Sequence, residues 1–393
     1  MSNVQLIEMA RESMEYAREG TVPLADDVFR VPAENYFDED RFQEEVDLIF
    51  KRLPLMLAAS AELPNPGDYK AMDPVGVPVV IVRGKDGEVR AFLNSCTHRG
   101  APVVDSGTGN VPRFSCPYHA WTFSLTGDLV AIASKHEFGD IDQSCYGLTP
   151  LKITERAGLI WAVLDPDTEV EFDNFLAGYD DLLNEFGFKD WHVFQQRVLR
   201  GPNWKVAYDG YLDLYHLPVL HRETFGSDVS NQAMYRAWGP HQRVTSPSRH
   251  TLDWADVPEE DWKMENLMMG VWTIFPHISI ASFYGGGRAV MISQLFPGET
   301  PGESYTTQTY LMEKEPEGEQ VQEADDQFKF LKVVVAEEDY KTGLRQQQAL
   351  EAGALSHVLF GRNEGGGQHF HGWVDRLLET KTEDLNKVFT ENA

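Results

Sequence analysis

No stretch of the 393 residues comes near the roughly 18 consecutive apolar residues that a membrane-spanning helix needs. Basic side chains are scarce as well. Against 62 Asp and Glu stand 34 Lys and Arg, a formal net charge of −28. That balance argues against nucleic acid and anionic membrane surfaces as partners, and leaves the docking of a basic protein open. Cysteine is rarer still: Cys96, Cys116 and Cys145. Three thiols cannot build a disulfide framework, so a reducing compartment fits. Phosphate loops are absent, since GGGR (Gly285 to Arg288) and EGGGQ (Glu364 to Gln368) both lack the Lys-Ser/Thr ending. No G-x-G-x-x-G opens a helix after a strand, which removes an evident nicotinamide or flavin site. The opening MSNVQLIEMARESMEYAREG is too acidic and polar for a secretory signal, and a cytoplasmic location is the expectation.

What is present suggests two domains. In DEDRFQEEVDLIF the apolar residues Phe42, Val46, Ile49 and Phe50 recur at helical spacing, and Pro54 closes that helix. Short β-rich runs follow. VPVVIV, the turn dipeptide Asp86-Gly87 and EVRAFLN read as a hairpin, and GLIWAVLDP as a further strand. The predicted organisation is a small antiparallel β domain over 50–158, an α+β domain over 159–393, and a helical segment over 1–49 that packs on the latter. The α+β domain is built on an antiparallel sheet from VWTIFPHISIASFY, RAVMISQLF and SYTTQTYLM, flanked by helices. The segment from Asn203 to His221 and a stretch of about 324 to 352 are predicted as helices. EKEPEGEQVQEADDQ is predicted as a solvated loop.

Cysteine and histidine alternate in the β domain: Cys96-x-His98, seventeen residues, then Cys116-x-x-His119. Zinc sites of the Cys₂His₂ type usually group a cysteine pair and then a histidine pair. Here each loop gives one of each. Two such loops can face each other across a binuclear cluster, with both thiolates on one iron and both imidazoles on the other, which is the Rieske [2Fe–2S] arrangement. Cys145 lies outside both loops and is predicted to be a buried structural thiol.

A second constellation lies in GPNWKVAYDGYLDLYHLPVLHRETF. Asp213 and His216 are three apart and would share a helix face. His216 and His221 are five apart, and Pro218 between them would disturb the helix and bring both imidazoles together. Two imidazoles and one carboxylate suit a non-haem Fe(II) site; the bland reading is two unrelated histidines. For the carboxylate, KFLKVVVAEEDYKTGLRQQQAL read as a helix puts Phe328, Leu331, Val335 and Asp339 within about 60° of one another, with Glu337 opposite. An acid on an apolar face needs a cation. Asp325, Asp326, Glu337 and Glu338 remain as alternatives. His369 and His371 in HFH are expected to pack and hydrogen-bond rather than bind metal, and Arg288 to form a surface salt bridge.

These motifs, with AWTF after His119 and NWK…D-x-Y-H-x-x-x-x-H around Asp213, His216 and His221, resemble the large (alpha) subunits of Rieske non-haem iron aromatic-ring-hydroxylating oxygenases. Two departures are Ala120, where the family commonly has Gly, and Asp209-Gly210, where it often has Glu-Asn. The resemblance implies a Rieske domain and a helix-grip, START-like catalytic domain. It implies a [2Fe–2S] cluster on Cys96, His98, Cys116 and His119, and mononuclear Fe(II) on His216, His221 and Asp339. By the same resemblance Asp213 is an electron bridge from His119 of a neighbouring subunit to His216. The implied reaction is cis-dihydroxylation of an aromatic or related apolar substrate with O₂, or else monooxygenation with N- or O-dealkylation. Implied partners are a ferredoxin or flavin reductase, two further copies in a homotrimer and, in some members, a small beta subunit. Readings of another class are a Rieske electron carrier fused to a ligand-binding domain without the mononuclear iron, and a zinc-structured binding protein.

Overall fold

Long-range strand pairing divides the chain. The computed structural model describes residues 2–226, 229–247 and 249–391. It separates into Phe50–Phe172 with Phe188–Asp190, and Met1–Ile49 with Asp173–Gly187 and Trp191–Ala393. No described helix is long and apolar enough to cross a membrane.

The smaller unit is antiparallel β structure. Its five-stranded sheet runs in the order Pro150–Leu151, Val89–Leu93, Val79–Arg83, Asp68–Met72 and Gly107–Asn110. The Asp-Gly hairpin forms: Val79 pairs with Leu93 and Arg83 with Val89. Its turn closes with Gly84 N–H donating to Glu88 O at 2.8 Å. Leu159–Ala162 pairs with Leu55–Ala59 as well as with Ile153–Arg156. The domain boundary expected at 158 is therefore corrected to Phe172, because a strand assigned to the second domain completes a sheet of the first. Residues 188–190 join this unit at Gly158, where φ is +70° and an added Cβ would lie 2.4 Å from Lys189 N. Only glycine fits so close an approach in that backbone region.

The larger unit is built on seven antiparallel strands in the order His192–Gly201, Ser304–Met312, Arg288–Pro297, Ile278–Tyr284, Val271–Ile274, His241–Thr245 and Met234–Trp238. Nine of the ten residues of Arg288–Pro297 are buried, which explains an apolar run without clean alternation. Ala289, Met291, Tyr310 and Met312 of the sheet pack on Ala324, Phe328 and Leu331 of a long helix. That helix runs as Glu319–Lys332, a π-helical stretch Val333–Tyr340, and Lys341–Glu351. It starts earlier than predicted, so part of the acidic segment is helix rather than loop, with Glu323 and Asp326 facing solvent.

Helix Glu39–Glu45 is fastened to the larger unit through one buried carboxylate. Glu45 accepts from Trp204 Nε1 at 2.8 Å and pairs with Lys205 Nζ. Arg41 bridges Glu45 at 3.0 Å and Asp375 at 2.6 Å. A buried pair of this kind is weak evidence for net stability, but removing one partner strands the other and costs about 3–5 kcal/mol.

Candidate functional site

The two cysteine loops are closed by the same pair of backbone hydrogen bonds. Cys96 N–H donates to Ala101 O and Gly100 N–H to Cys96 O, at 2.8 and 2.7 Å. Cys116 N–H donates to Trp121 O and Ala120 N–H to Cys116 O, at 2.8 and 2.9 Å. Each loop thus needs its fourth residue after cysteine in the left-handed region, and Gly100 and Ala120 stand there at φ +81° and +58°. The departure from glycine at 120 therefore falls on a position where an L side chain is disfavoured.

Both thiols are buried in the core beside Phe114, Trp121 and Phe123. His98 and His119 lie together at the loop ends, ring centroids 4.7 Å apart, with Trp121 stacked on His98 at 4.9 Å. Burial pushes the Cys96 thiol up, so a thiolate there needs a cation beside it. His119 Nδ1 is buried without a hydrogen-bond partner among the described residues. An orphaned imidazole nitrogen beside two buried thiols fits an iron–sulfur cluster held by thiolate and imidazole pairs. Cys145 is exposed, which corrects the expectation of a buried thiol; its Sγ lies 3.7 Å from Asp142 Oδ2.

In the larger unit the predicted continuous helix from Asn203 to His221 does not form. Helix Trp204–Asp209 ends at Gly210, and a single turn, Leu217–Leu220, stands between the two histidines. His216 caps its N-terminus and His221 its C-terminus, while Pro218 sits in the first turn, where its missing N–H does no harm. The imidazoles converge because they flank one turn, with centroids 5.1 Å apart. Asp213 meets His216 through a local turn rather than a helix face: Tyr215 N–H donates to Asp213 Oδ1, and Asp213 Oδ2 lies 2.9 Å from His216 Nδ1.

Asp339 closes the group from the long helix. Its Oδ1 is 3.0 Å from His221 Nε2 and 3.7 Å from His216 Nε2. Donor atoms of all three residues lie within 4.8 Å of one another, an arrangement that could hold a metal ion. Both Nε2 atoms face the common point and both Nδ1 atoms face carboxylates. Sequence reasoning missed the second of these. Glu338 Oε2 lies 2.7 Å from His221 Nδ1 and also accepts from Thr224 Oγ1 at 2.8 Å. Consecutive acids thus grip opposite nitrogens of one ring. An α-helix separates neighbours by 100°; the wider i→i+5 turn of the π-helical stretch narrows that angle, and such stretches are frequent at functional sites. Burial opposes a charge on His221, yet Asp339 and Glu338 outweigh it and raise its pKa. The point between the rings is therefore electrostatically suited to a cation, and its donor set of two imidazoles and a carboxylate to Fe(II).

His371 and His369 lie on helix Gly365–Glu379 and take no part in either group. His371 Nε2 is 2.9 Å from Asp209 Oδ1 and 3.2 Å from Tyr36 Oη, and His369 Nε2 is 2.9 Å from Gly239 O. Asp209, itself part-exposed, therefore joins the buried Tyr36 and His371 in a triad. Arg288 pairs with Glu313 at 2.9 Å. A cavity of about 620 Å³ opens beside the segment carrying Asp213 and His216, with Leu214 and Leu217 in its wall.

Residues 54–146 match the Rieske [2Fe-2S] domain, and residues 188–380 match the catalytic domain of the ring hydroxylating alpha subunit. A Rieske cluster domain followed by a mononuclear-iron catalytic domain defines an oxygenase subunit, and this chain belongs to the Rieske non-haem iron oxygenase family. It is 35% identical over 190 residues to the carnitine monooxygenase oxygenase subunit of Acinetobacter baumannii, covering 47% of this chain and 51% of that one. With the glycine betaine monooxygenase oxygenase subunit of Pseudomonas aeruginosa it shares 30% over 216 residues, 54% of this chain and 50% of the other. The matched region spans about half the length of these curated relatives. In fold it is similar to the quaternary ammonium Rieske monooxygenase CntA in complex with L-carnitine, with a TM-score of 0.75, 24% identity, and coverage of 90% of this chain and 97% of that one.

Proposed function

We propose that this chain is the terminal oxygenase of a monooxygenase system that removes an N-alkyl group from a quaternary ammonium compound. The carrying observation is the convergence of His216, His221 and Asp339 within 4.8 Å in a chain related to carnitine and glycine betaine monooxygenase subunits. Those relatives favour the dealkylation alternative over the aromatic cis-dihydroxylation expected first. When bound, the cluster and the mononuclear iron supply electron transfer and O₂ activation.

The chain's residues have separable tasks in this reading. Cys96 and Cys116 would hold one iron of the cluster, and His98 and His119 the other. His216, His221 and Asp339 would hold the mononuclear iron, their Nε2 atoms and carboxylate facing a common point. Asp213 fixes the His216 ring through Nδ1 and couples it to the cluster histidine of a neighbouring subunit in a homotrimer. Electrons come from a separate reductase. A nearby 620 Å³ cavity is of a size suited to a small-molecule substrate, and Trp254 in its wall offers a ring face to a quaternary nitrogen. One oxygen atom enters a C–H bond next to nitrogen, the other leaves as water, and the C–N bond then breaks to give an amine and an aldehyde.

The test is reconstitution with a ferredoxin and reductase, scoring amine and aldehyde released from quaternary ammonium compounds against cis-diols from aromatics. Diols without amine or aldehyde would restore the dihydroxylation reading. Colourless protein carrying zinc would end both.

A further inference from the structure

One buried phenol stands beside Asp339 in the chain. Tyr340 is the last residue of the π-helical stretch Val333–Tyr340 and is only 3% exposed. Its Oη lies 2.5 Å from Thr306 Oγ1 and 3.3 Å from Tyr211 Oη. Thr306 is fully buried in strand Ser304–Met312. Tyr211 stands between helix Trp204–Asp209 and the segment that carries Asp213 and His216. Three parts of the larger unit therefore meet at one hydroxyl: the helix with Glu338 and Asp339, the sheet, and the segment with His216. The ring has little slack. A Cβ at Gly201 would lie 3.1 Å from it, and three residues further along the helix a Cβ at Gly343 would lie 2.9 Å from Pro202 Cγ. The end of the π-helical stretch matters because Glu338 and Asp339 meet Nδ1 and Nε2 of one ring, His221. In an α-helix those two acids would stand 100° apart.

We infer that Tyr340 is a positioning residue for the metal group: its hydroxyl, shared between Thr306 and Tyr211, sets the register of Asp339 against His216 and His221. The inference rests on the reading of those three residues as metal ligands. A hydroxyl bonded to two others on different elements favours one arrangement of those elements, because any other leaves the buried Thr306 hydroxyl short of a partner. Tyr211 acts through Tyr340, so the two phenols form one unit.

The experiment removes the mononuclear iron from the full chain with its cluster in place, then titrates Fe(II) back against a chelator. Tyr340→Phe keeps the ring and removes the hydroxyl. It should weaken iron binding about 10–100-fold, the effect of releasing an outer partner of a metal ligand. Tyr211→Phe removes one of the two bonds and should weaken binding less. The double variant should match Tyr340→Phe within about twofold, since both changes break the same link. Co(II) in place of iron, with the cluster oxidised and silent in EPR, should give a changed EPR signal in Tyr340→Phe as Asp339 shifts against the imidazoles. A role confined to folding would lower the denaturation midpoint and leave iron affinity alone. Wild-type iron affinity in Tyr340→Phe would therefore overturn the proposal, whatever happens to stability. So would a double variant whose loss is the product of the two single losses. If Tyr340→Phe does not fold, Tyr211→Phe and Thr306→Val decide by the same titration, and wild-type affinity in both would overturn it. Should the wild type take up no iron beyond its cluster, the metal reading falls and the positioning role with it. Normal uptake by the wild type and by every variant sinks the positioning role alone.

Discussion

In the smaller unit the four candidate ligands come from two loops of nearly identical construction, close in sequence and closed by matching hydrogen bonds. In the larger unit three candidate ligands come from two distant segments, and their geometry depends on a one-turn helix and a π-helical stretch. Charge divides the same way. Of the 34 basic and 62 acidic residues, 12 and 16 fall in the smaller unit, leaving 22 and 46 in the larger. The smaller unit is near neutral at −4, while the larger carries −24. A cluster whose charge is met by its own thiolates does not need an acidic surround. At the site of the two imidazoles, carboxylates are supplied locally by Asp213, Glu338 and Asp339. The lesson is that one centre is preassembled by local chain chemistry, and the other is held by long-range contacts that can be undone one at a time.

The largest test of that contrast is Asp339→Ala. It should remove the mononuclear iron and abolish product formation while the cluster's visible absorption stays at wild-type strength. Iron analysis beside the spectrum decides it; full iron would mean that Asp339 is not a ligand. Asp213→Ala comes next. Both centres should load, the cluster should still be reduced, and substrate oxidation should be lost, because the ring of His216 is freed and its coupling removed. A variant with normal turnover would eliminate the bridge. Smaller again is Glu338→Ala, which should weaken iron binding about 10–100-fold by releasing His221 Nδ1. Glu338→Gln keeps an acceptor and should recover part of that loss. Iron titration followed by chelator competition would measure both, and equal affinity for all three proteins would strip Glu338 of its positioning role.

The contrast also explains what could be read without coordinates. Cys96, His98, Cys116 and His119 were legible because their spacing is local and their residue types are rare. His216 and His221 were legible as a pair, but the reason given for their convergence was wrong: Pro218 starts a new turn instead of bending an old one. Asp339 was favoured by the apolar face it shares with Phe328, Leu331 and Val335, all buried, and was chosen over its neighbours by the family resemblance. Glu338 could not be read this way, since a 100° wheel turns it away, and the widening of the helix at Val333–Tyr340 leaves no mark in residue types. The boundary at Phe172 was hidden for a similar reason. Leu159–Ala162 reads as a strand from its own residues, but its partner Leu55–Ala59 lies about a hundred residues earlier, and local pattern does not name partners.

The smallest expected effect probes the likeness of the two cluster loops. Gly100 and Ala120 hold the same place in the same hydrogen-bonded turn. Left-handed backbone costs an alanine about 1–2 kcal/mol, while glycine loses about 0.4–1 kcal/mol more chain entropy on folding. Ala120→Gly should therefore stabilise the smaller unit by up to about 1 kcal/mol, and Gly100→Ala should cost a similar amount. The latter adds no clash, because the nearest atom to a Cβ at 100 is Ser95 Oγ at 3.8 Å. Denaturation followed by cluster absorption reads both changes against wild type. Opposite shifts of similar size would establish that the loops are mechanically equivalent. A destabilising Ala120→Gly would mean that the Ala120 methyl group makes a favourable contact which outweighs the backbone term, and the two loops would then differ where they look most alike.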